Sequence, residues 1–142
     1  MLSKSSKYAI RAVLYLSLNS NENQKYSPQK IAEMINIPAP FLAKTLQELT
    51  KRNIISSSKG RNGGFYLTKA DKLNPMLSIV DCIDGLDKFN DCFLGLPKCD
   101  NEAPCVLHKI IYPFKNKFLD VLSTASIEDF SKDLAKGTIK IV

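Results

Sequence analysis

Histidine is almost absent from this chain of 142 residues: there is one, His108. The sequence also holds no glycine-rich loop of the kind that cradles a phosphate, and no pair of acids placed in a recognisable cleft. Those absences remove the usual nucleophilic, acid-base and nucleotide-handling constellations, so an enzyme is not expected. No run of about 18 apolar residues occurs either. The N-terminal "MLSKSSKYAIRAVLYLSLN" mixes Lys and Arg into an amphipathic pattern instead of leading to a cleavage site. The expectation is a cytoplasmic protein with no membrane segment. With 44% hydrophobic residues the chain can bury one real core, with a small module appended.

What is present is unevenly spread. Residues 1–74 carry 12 Lys/Arg against 4 Asp/Glu, and residues 75–142 carry 8 against 10, so the net +6 is a basic half joined to a slightly acidic one. A basic half suits a polyanion such as nucleic acid, although a solvated surface uses charge in the same way. The second concentration is "CFLGLPKCDNEAPCVLH", residues 92–108, which gathers three of the four cysteines with the only histidine. In a reducing compartment such a cluster reads as metal ligands or redox groups before it reads as disulfides.

Periodicity orders the basic half. Tyr8, Ile10, Ala12, Val13, Leu14, Leu16 and Leu18 predict a buried helix from Ser6 to Leu18, with Arg11, Tyr15 and Ser17 on a thin polar face. Ser27 then caps a short helix that has Pro28 in its first turn and Ile31, Ala32 and Ile35 as its stripe. Pro38 and Pro40 in "NIPAP" end it, and a third helix runs from about Pro40 to Arg52 on Leu42, Leu46 and Leu49. In "IISSSKGRNGGFYLT", Ile54–Ser58 and Phe65–Thr68 read as strands of a hairpin whose glycine-rich tip carries Lys59 and Arg61. A helix-turn-helix followed by a basic hairpin is a winged helix, which binds double-stranded DNA with its third helix in the major groove. Lys44, Thr45 and Gln47 are the expected base contacts. Lys51, Arg52, Lys59 and Arg61 are better placed for phosphates, where they add salt-dependent affinity without sequence preference.

The other half is predicted to hold a helix on Met76, Ile79, Val80 and Ile83 that ends near Gly85, with Cys82 as a small core residue beside that stripe. A long polar loop spans Leu86 to Pro104, and loops of that length are usually functional or disordered. Leu107, Ile110, Ile111, Phe114, Phe118, Leu119 and Leu122 then mark a long helix with Pro113 as a candidate kink. A stripe so wide, coming after a domain with its own core, is best satisfied by a partner helix from a second subunit. A two-fold dimer of winged helices would bind a palindromic operator. Ser126 caps a closing helix. The resulting fold class is mainly α with a small β-hairpin wing: a winged helix-turn-helix DNA-binding domain over residues 1–74, then the cysteine-bearing loop and dimerisation helices over residues 75–142.

"SKYAIRAVLYLS", "IAEMINIPAPFLAKTLQELTKRNIISSSKGRNGGFYL", "SIVDCIDGL" and the Cys-x6-Cys-x5-Cys-x2-His run, in this order, resemble the Rrf-type family of small bacterial winged-helix regulators. The resemblance covers nearly the whole chain. It implies a homodimeric transcription factor, often a repressor, whose long helices cross between subunits. Members with three cysteines in this loop bind an iron-sulfur cluster, and by that match Cys92, Cys99 and Cys105 would be its thiolate ligands. Some members take a fourth ligand from a histidine shortly after the third cysteine, and others from an N-terminal carboxylate. Lys7 stands where that carboxylate would be sought, which makes His108 the candidate. Three thiolates and one imidazole suit a 2Fe-2S cluster, because neutral nitrogen in place of thiolate raises the reduction potential. The chain departs from the family pattern in two places. Six residues separate Cys92 from Cys99 where five is usual, and Pro40 and Ala43 occupy positions where polar side chains often begin the base-reading helix.

Other readings of the same residues stand beside this one. Structural zinc would use the same Cys3His set, although zinc sites usually present closely spaced pairs and only Cys105-x2-His108 is close. A thiol or disulfide switch needs no metal. His108 would also be at home as a packed helix residue.

Overall fold

The computed structural model describes residues 2–137 and 140–142. Helix α1 spans Lys4–Asn19, longer at both ends than the apolar pattern suggests. The Ser3 hydroxyl caps it, accepting from the Ser6 N–H at 3.1 Å. Ala9, Ala12, Val13 and Leu16 form its fully buried side. Two positions fall on the side opposite to that expected: Ser17 is buried and Leu18 is exposed. Ser17 tolerates burial because its oxygen accepts a 2.6 Å hydrogen bond from the Ser131 hydroxyl. Arg11 is not a solvated face residue, since its guanidinium donates to the carbonyls of Ile35 and Ile141.

Helix α2 is Pro28–Ile35, with Ser27 accepting from the Lys30 N–H as its cap. Asn36 takes the left-handed conformation, φ 55°, that reverses the chain, and Ile37 tucks into the core. Helix α3, Ala39–Lys51, begins on the two prolines as expected and buries Leu42, Leu46 and Leu49. The wing is an antiparallel pair, β1 Ser56–Ser58 and β2 Gly64–Tyr66, in the register Ser56 to Tyr66. Both strands are shorter than the sequence pattern. Ile54 and Ile55 leave the hairpin to enter the core, and Leu67 does the same on the other side. A third short piece pairs with the wing: Tyr26 and Phe65 exchange main-chain hydrogen bonds of 3.0 and 2.8 Å. Gly64 lies against that bridge at φ 148°, and a Cβ there would stand 2.8 Å from the Tyr26 carbonyl oxygen.

Helix α4, Leu77–Asp84, ends at Gly85 with φ 72°. The expected structureless loop contains one turn of 3-10 helix, Asp87–Asn90, which drives Phe89 into the core. Helix α5, His108–Thr124, runs through Pro113 as one helix, and α6, Ile127–Ala135, opens with a reciprocal capping box between Ser126 and Asp129. Helix α1 packs against α2, α3, α4 and α6, so one core continues from the winged helix to Leu122 and Ile127. Helix α5 is covered on one side only. Leu122 is buried and Phe118 and Leu119 touch the core, but Ile110 is 70% exposed and Phe114 58%. Among the described residues, no helix is long and apolar enough to cross a membrane.

Candidate nucleic-acid interface and metal centre

On α3, Pro40, Lys44, Gln47 and Lys51 are all exposed. Their spacing of four, three and four residues sets them along one face of the helix. Ala43 is half-buried at the edge of this row. Thr45 corrects the sequence reading: it is only 6% exposed, and its hydroxyl donates to the Phe41 carbonyl of its own helix at 3.1 Å. It lies one residue round from the open face, next to buried Leu46, and offers no group to a base. Arg52 is exposed past the end of α3 and shares a 3.8 Å surface ion pair with Asp81, a contact weak enough to yield to a phosphate.

Lys59 and Arg61 stand exposed at the wing tip, where a Gly63 N–H to Gly60 carbonyl bond of 3.0 Å closes the turn. Between the wing and α3 lies a cleft of about 470 Å³ lined by Gln47, Thr50, Lys51, Ser57, Lys59 and Phe65. The cleft therefore joins the polar row of α3 to the basic hairpin. Lys25 carries no signal in the sequence pattern. The Tyr26–Phe65 bridge brings it to the wing, with its ammonium 5.0 Å from the Tyr66 ring centre.

The second constellation forms at the N-terminal end of α5. Cys92 is buried just past the 3-10 turn, Cys99 and Cys105 are half-buried, and His108 is buried as the first residue of α5. The fold thus sets Cys99 against His108, with Cys105 one turn before it in the chain. Cys99 Sγ lies 3.5 Å from His108 Nδ1. His108 Nε2 is 2.7 Å from Asn101 Oδ1. An amide oxygen can only accept, so Nε2 donates this bond, and Nδ1 faces Cys99. The Tyr112 ring stacks on the imidazole with centroids 5.0 Å apart and fixes its plane.

The N–H groups of Leu94 and Leu96 hold the Cys92 thiol below its ordinary range against the opposing effect of burial, and Cys105 and the Lys115 ammonium add to the lowering. Cys82 is different. It packs against the core on α4, and burial pushes its thiol up.

In donor chemistry the cluster fits an iron-sulfur group: three soft thiols, one of them acidified, and an imidazole whose second nitrogen is already oriented by a hydrogen bond. It fits a single ion less well. Among the described residues, no three Cys, His, Asp or Glu side chains are grouped closely enough to hold one metal ion. Cys99 and His108 form a close pair instead.

Comparison with known proteins agrees with this architecture. The chain is 34% identical over 131 residues to a helix-turn-helix-type transcriptional regulator of Aquifex aeolicus, covering 91% of this chain and 90% of that protein. It is 30% identical over 134 residues to the transcriptional regulator NsrR of Oceanobacillus iheyensis, covering 93% and 90%. Among solved structures, CymR, the global cysteine regulator of B. subtilis, superposes with a TM-score of 0.73 at 16% identity over 93% of this chain and 96% of that one. T. potens IscR gives 0.72 at 19% identity over 99% and 92%. At those identities the two structures establish the fold alone. The model of the Rrf2 family, described as an iron-dependent transcriptional regulator, matches residues 2–133, and the chain belongs to that family of DNA-binding winged-helix transcriptional regulators.

Proposed function

We propose that the chain works as a homodimeric repressor whose affinity for a palindromic operator is set by an iron-sulfur cluster, most simply 2Fe-2S, bound by Cys92, Cys99, Cys105 and His108. The observation that carries this reading is the contact of Cys99 Sγ with His108 Nδ1 at the start of α5, with Cys105 one turn before it and the Cys92 thiol lowered in part by Cys105. A cluster of two irons takes two protein ligands at each iron, whereas zinc needs four donors around one centre. The family description as iron-dependent supports the same choice. When bound, the cluster supplies a redox-active centre that responds to oxidants or iron supply.

The protein's own part is mechanical. Thiolates of the 92–105 loop draw that loop against the start of α5, so the segment is ordered when the donors are engaged and relaxed when they are not. The uncovered face of α5, with Ile110, Phe114 and Val121 exposed, supports pairing with a second copy. That pairing would set the separation of the two α3 helices. A coupling of about 1.4–3 kcal/mol between loop order and that separation would change DNA affinity roughly ten- to 150-fold. Operation in the cytoplasm follows from DNA as the partner.

A thiol switch without metal is the second reading, favoured by the lowered Cys92 thiol, to which Cys105 contributes. One experiment separates the two: purification without oxygen, followed by the visible spectrum, iron and sulfide content, and binding to duplexes selected from a random pool. Colour with iron and labile sulfide supports the cluster. A colourless protein whose DNA binding still responds to peroxide supports the thiol switch, and a colourless protein holding one zinc removes both.

A further inference from the structure

Lys115 is the one lysine among the described residues that is buried, 6% exposed in the middle of α5. Its ammonium donates to the Phe89 carbonyl at 3.1 Å and to the Asp91 carbonyl, the two carbonyls that flank Asn90 immediately before Cys92. Among the described residues it forms no ion pair. Phe89, the residue whose carbonyl it holds, is itself buried, with its ring 6.1 Å from that of Phe118 one turn along α5. A buried ammonium is costly unless an opposite charge or a full set of acceptors answers it. Two carbonyls use two of its three protons and leave the net charge uncompensated. The group that can compensate it lies on the same strand of chain: Cys92, once ionised as a ligand.

We propose that Lys115 is the positioning residue of the cysteine loop, anchoring the turn before Cys92 to α5 and supplying the positive charge that favours the more electron-rich, reduced state of the group the cysteines hold. The second half of this proposal rests on the iron-sulfur reading above. The first half does not, because the two carbonyl contacts exist in the chain alone.

The anchor is tested in the metal-free protein by amide hydrogen exchange, comparing Lys115→Met with Lys115→Gln, which keeps a donor but loses the charge. Lys115→Met should speed exchange across residues 86–92 by about tenfold while α1 and the wing stay protected, and Lys115→Gln should keep a good part of that protection. The charge is tested by the reduction potential of the reconstituted cluster. Both neutral variants should shift it downward, and Lys115→Arg should restore it toward the parent value. Unchanged exchange in Lys115→Met overturns the anchor. Equal potentials in parent and neutral variants, or an equal fall in Lys115→Arg, overturn the charge. A parent that takes up no cluster overturns the charge together with the proposed function, and the exchange result still decides the anchor. If Lys115→Met does not fold, Lys115→Ala, which also lacks a donor, carries the exchange measurement with the same expected and overturning results, and Lys115→Gln carries the potential.

Discussion

Ser3 and Asp84, 81 residues apart, are joined by two hydrogen bonds: the Ser3 main-chain N–H reaches the Asp84 carboxylate at 3.1 Å, and its hydroxyl donates to the other oxygen. The same carboxylate pairs with Lys88 at 2.6 Å. Lys88 belongs to the 3-10 turn that leads to Cys92, and Ser3 caps α1, against which α2 and α3 pack. The approach to the cysteine loop and the foundation of the DNA-binding helices therefore meet at one buried carboxylate.

Asp84 should make stability pH-dependent. Burial pushes its carboxyl up, but the hydrogen bonds from Lys88 and Ser3 outweigh burial and hold it well below the usual carboxylate range. A depressed folded value contributes stability above the unfolded value of about 4, and that contribution is lost as pH falls toward the folded value. Asp84→Asn should cost about 1–3 kcal/mol at pH 7, and its difference from the parent should shrink steadily below about pH 4. Urea midpoints across pH 7 to 3 measure this, and a constant difference would contradict it.

Gly64→Ala should damage the wing without touching α3. The added Cβ meets the Tyr26 carbonyl at 2.8 Å in a backbone conformation that side chains rarely adopt, so the Tyr26–Phe65 bridge must open. A loss of about 1–3 kcal/mol in stability is expected, with weaker binding to every duplex but the same sequence preference. Thermal melts and competition binding read the two effects separately.

The proposed DNA face would make two kinds of contact. Replacing Lys59 and Arg61 together by Ala should lower the steepness of the salt dependence by about 1.8, close to 0.9 for each phosphate no longer neutralised. Lys44→Ala and Gln47→Ala should each change base preference by about 1–3 kcal/mol at one position. Thr45→Ala should leave preference unchanged, because the Thr45 hydroxyl is bonded within its own helix. A change in preference from the Thr45 variant would mean that α3 presents a different face to DNA.

Much of this architecture can be read in the sequence because local signals and packing agree. Ser27-Pro28, the prolines of "NIPAP", Gly85 and the Ser126–Asp129 box each sit where a helix begins or ends. Disagreement arises where a residue's fate depends on a distant partner. Ser17 is buried because Ser131 meets it, Arg11 is enclosed by two carbonyls from elsewhere in the chain, and Tyr26 becomes part of the wing through Phe65. No periodicity encodes those contacts. The cysteine-histidine cluster is legible in composition and spacing, but the contact of Cys99 with His108 is not. Lys115 reads in the sequence as an ordinary polar position on α5, and only the fold shows that it is buried against the loop.

His108 offers the sharpest test of the proposed metal centre. Its Nε2–H is held by Asn101, its ring is stacked on Tyr112, and its Nδ1 faces Cys99, so the imidazole is oriented before any ligand arrives. In protein prepared without oxygen, Cys92→Ala, Cys99→Ala and Cys105→Ala should each abolish the visible bands, whereas Cys82→Ala, altered in the core of α4, should keep them. His108→Ala should give a labile cluster while leaving metal-free DNA binding largely intact. His108→Cys should retain a cluster at lower reduction potential, since a fourth thiolate adds negative charge where a neutral nitrogen stood. Asn101→Ala should fall between parent and His108→Ala, losing cluster affinity about 10- to 100-fold because the ring keeps its stacking but loses the bond that sets its tautomer. Should His108→Ala retain the spectrum and potential of the parent, the fourth ligand lies elsewhere and the Asn101 bond serves packing alone.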